Sequence, residues 1–164
     1  MPAFYLGLAT MTNPNQLTLA QKPPTLSPNN IQTRQISIAG IDEPNVIAYF
    51  QTLANQDFEA TASLFAPDGE LCPPFEDGVV GKVAIANYLA QEAIGIKPNP
   101  KEGFAEYFAD GTVHLKITGR VELPWCAVNV AWRFALDRNR QITCVAIDLL
   151  ATMQELLKFR NNRG

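Results

Sequence analysis

Apolar positions in this chain recur at helical spacing up to about residue 95 and alternate from about residue 104 onward. In "IDEPNVIAYFQTLANQD", Val46, Ile47, Tyr49, Phe50, Leu53 and Ala54 return at three- and four-residue steps and give one apolar helical face. Asp42 is the expected N-cap, and Pro44 suits a first turn, where a missing amide hydrogen costs nothing. "DFEATASLF" predicts a short second helix and "KVAIANYLAQEAIGI" a third. Between them "APDGELCPPFEDGVVG" is dense in turn residues and reads as a loop with a short strand. "KPNPKEG" is expected to break the third helix off.

The extended half opens with "FAEYFADGTVHLKITGRVEL", where Asp110-Gly111 between alternating runs is a strong hairpin signal. "CAVNVAWRFALDRNRQITCVAIDLLA" predicts two more strands around a polar turn at residues 137–140, and "TMQELLKFRNNRG" a closing amphipathic helix. Helices followed by an antiparallel meander make an α+β fold, one sheet face packed on three helices with a conical pocket between the layers. Residues 1–35, rich in Pro, Asn, Gln and Thr without a sustained period, read as an extended tail before a domain at 36–164.

Composition narrows the functions available. A net charge of −3 argues against nucleic acid as the main partner, because phosphate binding requires a basic surface. The short apolar stretch "AFYLGLA" has no preceding positive charge and no cleavage site, so a cytoplasmic protein is expected, with thiols in place of disulfides. Three cysteines and one histidine lack metal-ligand spacing, and no familiar hydrolase, protease or phosphate-loop motif occurs. His114 aligns with the polar face of its strand and reads as solvated surface. Asp148, an acid within the apolar run "CVAIDLLA", is the one position from which a general base could be built, if it faced a cavity. That is the enzyme alternative, an isomerase or dehydratase; a polar-face or edge position is the structural one.

Two aromatic donors pose the sharper question. Trp132 lies on the large-residue face of its strand with Val128, Val130, Phe134 and Leu136, and Tyr49 on the apolar face of the first helix. An indole N–H only donates, so a buried one needs an acceptor, supplied either by the protein or by a ligand.

"IDEPNVIAYFQTL", "DFEATASLFAPDGELCPPFEDGVVGKVAIANYLAQEA", "PWCAVNVAWRF" and "VAIDLLATMQELL" together resemble the C-terminal domain of orange carotenoid proteins, over residues 35 to 160 or so. The resemblance implies the nuclear-transport-factor-2-like cone and, without the helical N-terminal carotenoid domain, a standalone cyanobacterial homologue of that domain. It implies a ketocarotenoid of echinenone or canthaxanthin type, its keto group held by Tyr49 and Trp132. Trp125 matches a tryptophan near the ring, and Leu53, Val80 and Ile147 are wall positions. Glu92 matches a glutamate that pairs with an arginine of the helical domain. Cys126 stands where full-length relatives carry an aromatic and standalone ones a cysteine tied to thiol-dependent dimers; a buried free thiol is the plain alternative.

The activity implied is not catalytic. It is that of a carrier taking ketocarotenoid from membranes, with transient contact at thylakoids, and passing it to helical carotenoid proteins, quenching singlet oxygen while loaded as part of photoprotection. A homodimer sharing one carotenoid would cover the exposed polyene.

Overall fold

The computed structural model describes residues 35–150, together with 157, 160 and 161. The tail expected at residues 1–35 and the closing helix in "TMQELLKFRNNRG" lie largely outside the described residues. Three helices, α1 (Pro44–Ala54), α2 (Phe58–Ser63) and α3 (Lys82–Glu92), accompany six strands: β1 (Phe65–Cys72), β2 (Val79–Val80), β3 (Lys97–Tyr107), β4 (Val113–Glu122), β5 (Ala127–Leu136) and β6 (Ile142–Leu149). The strands form one sheet in the order β2-β1-β6-β5-β4-β3. The α+β class and the meander over β3 to β6 follow the expected pattern.

The sheet is mixed rather than wholly antiparallel. β1 pairs parallel with β6, with a register shift between Phe65 and Glu70, where "APDG" interrupts the strand. The segment expected as a loop with a short strand holds the eight-residue β1 and the two-residue β2 on either side of a loop, and "KPNPKEG" is the start of β3 rather than a break. Prolines 98 and 100 are tolerated there because β3 is an edge strand, where a missing amide donor leaves no ladder bond unmade. The Asp110-Gly111 hairpin closes through a longer loop than two residues. The Gly111 amide donates to Phe108 O, and the Thr112 amide to the Asp110 carboxylate. Gly111 supplies the positive φ of 92° that this turn requires.

Helix α1 begins one residue later than expected, with Glu43 in place of Asp42 as N-cap and no side-chain cap bond. The Glu43 carboxylate instead accepts from Arg140 Nη1 at 2.8 Å, on the turn between β5 and β6. That ion pair ties the start of α1 to the sheet. α2 is capped by Asp57, whose carboxylate accepts from the Ala60 amide.

One sheet face is the core. Val113, Leu115 and Ile117 of β4, Val130, Trp132, Phe134 and Leu136 of β5, and Val145 of β6 are buried against Val46, Tyr49, Phe50 and Leu53 of α1 and Ile85, Ala86 and Leu89 of α3. The opposite face carries Glu106, His114, Lys116, Arg133 and Asp148, as period-two alternation requires. Among the described residues, no helix is long and apolar enough to cross a membrane.

Candidate functional site

Tyr49 and Leu53 stand four residues apart on α1 and so share the face that meets the sheet. Trp132 sits mid-strand on β5, opposite Ile117 of β4 and Ile147 of β6. Both donors are in the core, Tyr49 at 1% exposure and Trp132 at 2%. A ring system joins them. Phe50 lies edge-on to Trp132 with centroids 4.8 Å apart, and edge-on to Tyr49 at 5.2 Å. Phe134 meets Tyr49 at 5.1 Å and Phe50 at 5.7 Å, again edge-on. Such T-shaped pairs contribute about 0.5–1.5 kcal/mol each beyond area burial.

The polar tips of these two residues are unmatched. Neither the Tyr49 phenol nor the Trp132 indole N–H has a hydrogen-bond partner among the described residues, although both are sealed from solvent. Burial alone pushes the Tyr49 phenol well above the usual tyrosine range, with no bond to a neighbour behind the shift. An unsatisfied buried donor costs roughly 1–3 kcal/mol. Native structures seldom carry two such costs together without a reason.

The remaining expected positions divide between the core and the surface. Leu53 is buried one turn beyond Tyr49 on α1, and Ile147 is partly buried beside Trp132. Val80 is 57% exposed on the two-residue edge strand β2, a rim position rather than an interior wall. Trp125 is half exposed in the turn between β4 and β5, followed by Cys126, a partly exposed free thiol. Glu92 is the exposed last residue of α3.

Gln56, which no sequence pattern flags, fastens this rim. Its side chain donates to Ala93 O at 3.4 Å and accepts from the Gly95 amide at 3.1 Å, while Pro124 packs beside Gly95. The end of α1, the turn after α3 and the "PWC" turn therefore meet at one place. Ile94 and Trp125 are exposed apolar side chains there. Tyr49 lies five residues from the end of α1 at Ala54, about 7.5 Å along the helix axis at 1.5 Å per residue, with Gln56 in the turn just beyond.

Asp148 is turned away from this interior. It lies on the outer sheet face in a two-point ion pair with Arg133, Nε to Oδ2 at 2.7 Å and Nη2 to Oδ1 at 3.3 Å. The Arg133 guanidinium holds its carboxyl below the usual carboxylate range, the reverse of what a general base in a cavity needs. The enzyme reading that rested on Asp148 is corrected by this geometry. His114 also faces outward, edge-on to Phe108 at 4.9 Å. Among the described residues no group of three or more His, Cys, Asp or Glu is arranged to hold a metal ion.

No family model matches the chain. Curated relatives do. The chain is 38% identical over 141 residues to the orange carotenoid-binding protein of Synechocystis sp. PCC 6803, an alignment covering 83% of this chain and 44% of the relative. A solved structure of the Anabaena (Nostoc) sp. PCC 7120 orange carotenoid protein binding canthaxanthin is 40% identical with a TM-score of 0.71, over 82% of this chain and 44% of that one. A ketosteroid isomerase-like protein from Erwinia carotovora, at 16% identity and a TM-score of 0.52 over 67% of this chain and 94% of that one, shares the fold alone. The chain spans less than half the length of the curated relatives it matches. The architecture is the nuclear-transport-factor-2-like one, and the chain is a homologue of the orange carotenoid proteins, resembling their C-terminal domain.

Proposed function

We propose that this chain binds a ketocarotenoid of echinenone or canthaxanthin type, one ring of which enters the interior so that its keto oxygen accepts from the Tyr49 phenol and the Trp132 indole. The observation that carries this reading is the pair of buried donors on facing elements, both without an acceptor among the described residues. A carbonyl oxygen has two lone pairs and takes both bonds, removing both costs at once. The rest of the ligand is hydrocarbon, matched by Leu53, Ile147 and the Phe50–Phe134 pair through area burial. Because these rings pack against the phenol, loading requires Phe50 and Phe134 to shift, and the bound state is wider than the packed one.

The roughly 7.5 Å from Tyr49 to the end of α1 encloses little more than one end ring of the pigment. The remainder emerges between Ile94 and Trp125, where a partner has to cover it. We read the chain as a carrier: it takes pigment from membranes, shares one pigment between two copies, and delivers it to a helical carotenoid protein. Glu92 on the rim meets a cationic side chain of that acceptor. In an isologous dimer a residue near the axis meets its own counterpart, which suits Cys126 for a reversible link between copies. Loaded protein quenches singlet oxygen through the pigment itself, a photoprotective role in the cytoplasm.

Expression in a canthaxanthin-producing host tests the reading directly. The protein should purify coloured, with absorption to the red of free pigment. A colourless wild-type preparation, or a Tyr49→Phe, Trp132→Phe double variant with an unchanged spectrum, overturns it.

A further inference from the structure

The outer face of the sheet brings two of the three cysteines together. β1 and β6 are parallel neighbours in which Glu70 stands opposite Cys144, Leu71 opposite Val145, and Cys72 opposite Ala146. Leu71 and Val145 are buried in the core, so Glu70, Cys72 and Cys144 share the other face. Cys72 and Cys144 are both free and partly exposed. The Cys72 thiol is in side-chain contact with Cys144 and Glu70; burial first, and then these neighbours, push it up to about 11, so an ion bound here has to displace its proton. Nothing in the carotenoid reading uses this pair.

Their register decides what such a pair can do. The cysteines are one diagonal step out of direct pairing; two residues along a parallel strand and one strand spacing place their α-carbons about 8 Å apart. A disulfide with its bond of about 2.0 Å does not form across more than about 7 Å without backbone movement. A metal ion with two sulfur bonds of about 2.3 Å spans about twice that bond length between the sulfurs, which suits side chains leaning together from diagonal positions. Glu70 shares this face, but it and the two cysteines are not arranged to hold a metal ion as a trio among the described residues, so a four-coordinate ion such as zinc is poorly served. Thiolates select soft ions, and of these copper(I) is satisfied by two sulfurs.

Two further features fit that ion. A groove of ≈ 300 Å³ lined by Cys144, Ala146, His114, Lys116, Arg133 and Phe104, among others, opens onto one of the two sulfurs and gives an entry path. Binding one copper(I) releases a proton from each thiol, so the ion and two thiolates carry a net charge of −1. Arg133 lies in the field of both Cys144 and Cys72 and offsets that charge. We propose that Cys72 and Cys144 form a two-sulfur site for one copper(I) ion, on the sheet face opposite the carotenoid interior.

The test is made in a Cys126→Ser background, which leaves this pair as the chain's only thiols. Under anaerobic conditions copper(I) is titrated against a chromogenic chelator of known affinity. One ion per chain should be withheld from the chelator, and adding Cys72→Ser or Cys144→Ser should weaken retention at least 100-fold with the unfolding midpoint little changed. Retention by either serine variant at full strength overturns the proposal, as does failure of the parent to bind. X-ray absorption on the copper-loaded Cys126→Ser protein serves as an independent measurement should a serine variant not fold. Two sulfur neighbours are expected, and a shell of three or more ligands, or of nitrogen and oxygen, overturns it. Isolation of the pair in air as a Cys72–Cys144 disulfide, two hydrogens lighter by mass, also overturns it, because the register argument then fails.

Discussion

Trp132 and Arg133 are adjacent on β5 and face opposite worlds. The indole is buried against Phe50 at 4.8 Å, while the guanidinium lies in solvent 2.7 Å from the Asp148 carboxylate. That one-residue step separates an apolar interior with two unmatched donors from a charged outer face, and the chemistry of the chain divides along it. The proposed carotenoid site belongs to the first side. Whatever the outer face does, it does with thiols and charges.

If the donors await a ligand, removing them has opposite effects on the empty and loaded protein. In the apoprotein, Tyr49→Phe deletes an unsatisfied buried hydroxyl and should stabilise by about 1 kcal/mol, since the desolvation cost of roughly 1–3 kcal/mol disappears while the ring remains. In the loaded protein the same change deletes a bond to the pigment and should weaken binding several-fold, with a blue shift. Urea midpoints of the apoprotein and visible spectra of the loaded form measure the two arms. A destabilised Tyr49→Phe apoprotein means that the phenol already has a partner.

Asp148 gives a control. Its folded pKa is depressed by Arg133, so the stability it contributes is present above the unfolded value of about 3.9 and is lost as pH falls through the lower folded value. The two side chains are 46% and 57% exposed, which limits the pair to about 0–1 kcal/mol. Asp148→Asn should therefore cost a few tenths of a kcal/mol at pH 7, progressively less as pH falls below the unfolded value, and no pigment. Loss of colour in this variant contradicts an outward Asp148.

Much of this arrangement was legible in the sequence because it follows from period. Alternation placed Trp132 and Phe134 on one face and Arg133 on the other, and the three- and four-residue steps of α1 put Tyr49 and Leu53 inward. What escaped reading had its cause in topology. β1 carries Pro67 and Gly69 and reads as a turn until β6, some seventy residues away, supplies its parallel partner through a bulge. Prolines 98 and 100 break any helix, but only the sheet order reveals that they lie on an edge strand. The proximity of Cys72 to Cys144 and the Gln56 clamp are long-range relationships with no local signature. Asp42 and Glu43 compete for one cap by sequence, and Arg140, ninety-seven positions on, claims the glutamate.

Alkaline titration reports on the interior. Burial raises the folded pKa of Tyr49, and burial with a 3.1 Å bond to Glu76 raises that of Tyr88. For a phenol, a raised folded value means that the neutral form is favoured in the folded state. The associated stability is complete below the unfolded value of about 10 and is lost as pH rises beyond it. Unfolding should set in above about pH 10, and Tyr49→Phe should move its midpoint to higher pH. An unchanged midpoint means that the Tyr49 phenol ionises in the folded protein.

The ion pair between Glu43 and Arg140 should carry more than the outer-face pair. The Glu43 side chain is 7% exposed and Arg140 is 44% exposed, so truncating the arginine strands a nearly buried carboxylate at the start of α1. Breaking a fully buried pair costs 3–5 kcal/mol, and partial exposure of Arg140 reduces this to about 2 kcal/mol for Arg140→Ala. The arginine also lies 5.5 Å over the Tyr107 ring, and the same variant removes this cation–π attraction. Glu43→Gln in that background removes the stranded charge and should recover about half of the destabilisation. A double-mutant cycle by urea denaturation measures the coupling. Strict additivity of the two changes shows that α1 is held to the sheet by its apolar face alone, with the 2.8 Å ion pair contributing nothing measurable.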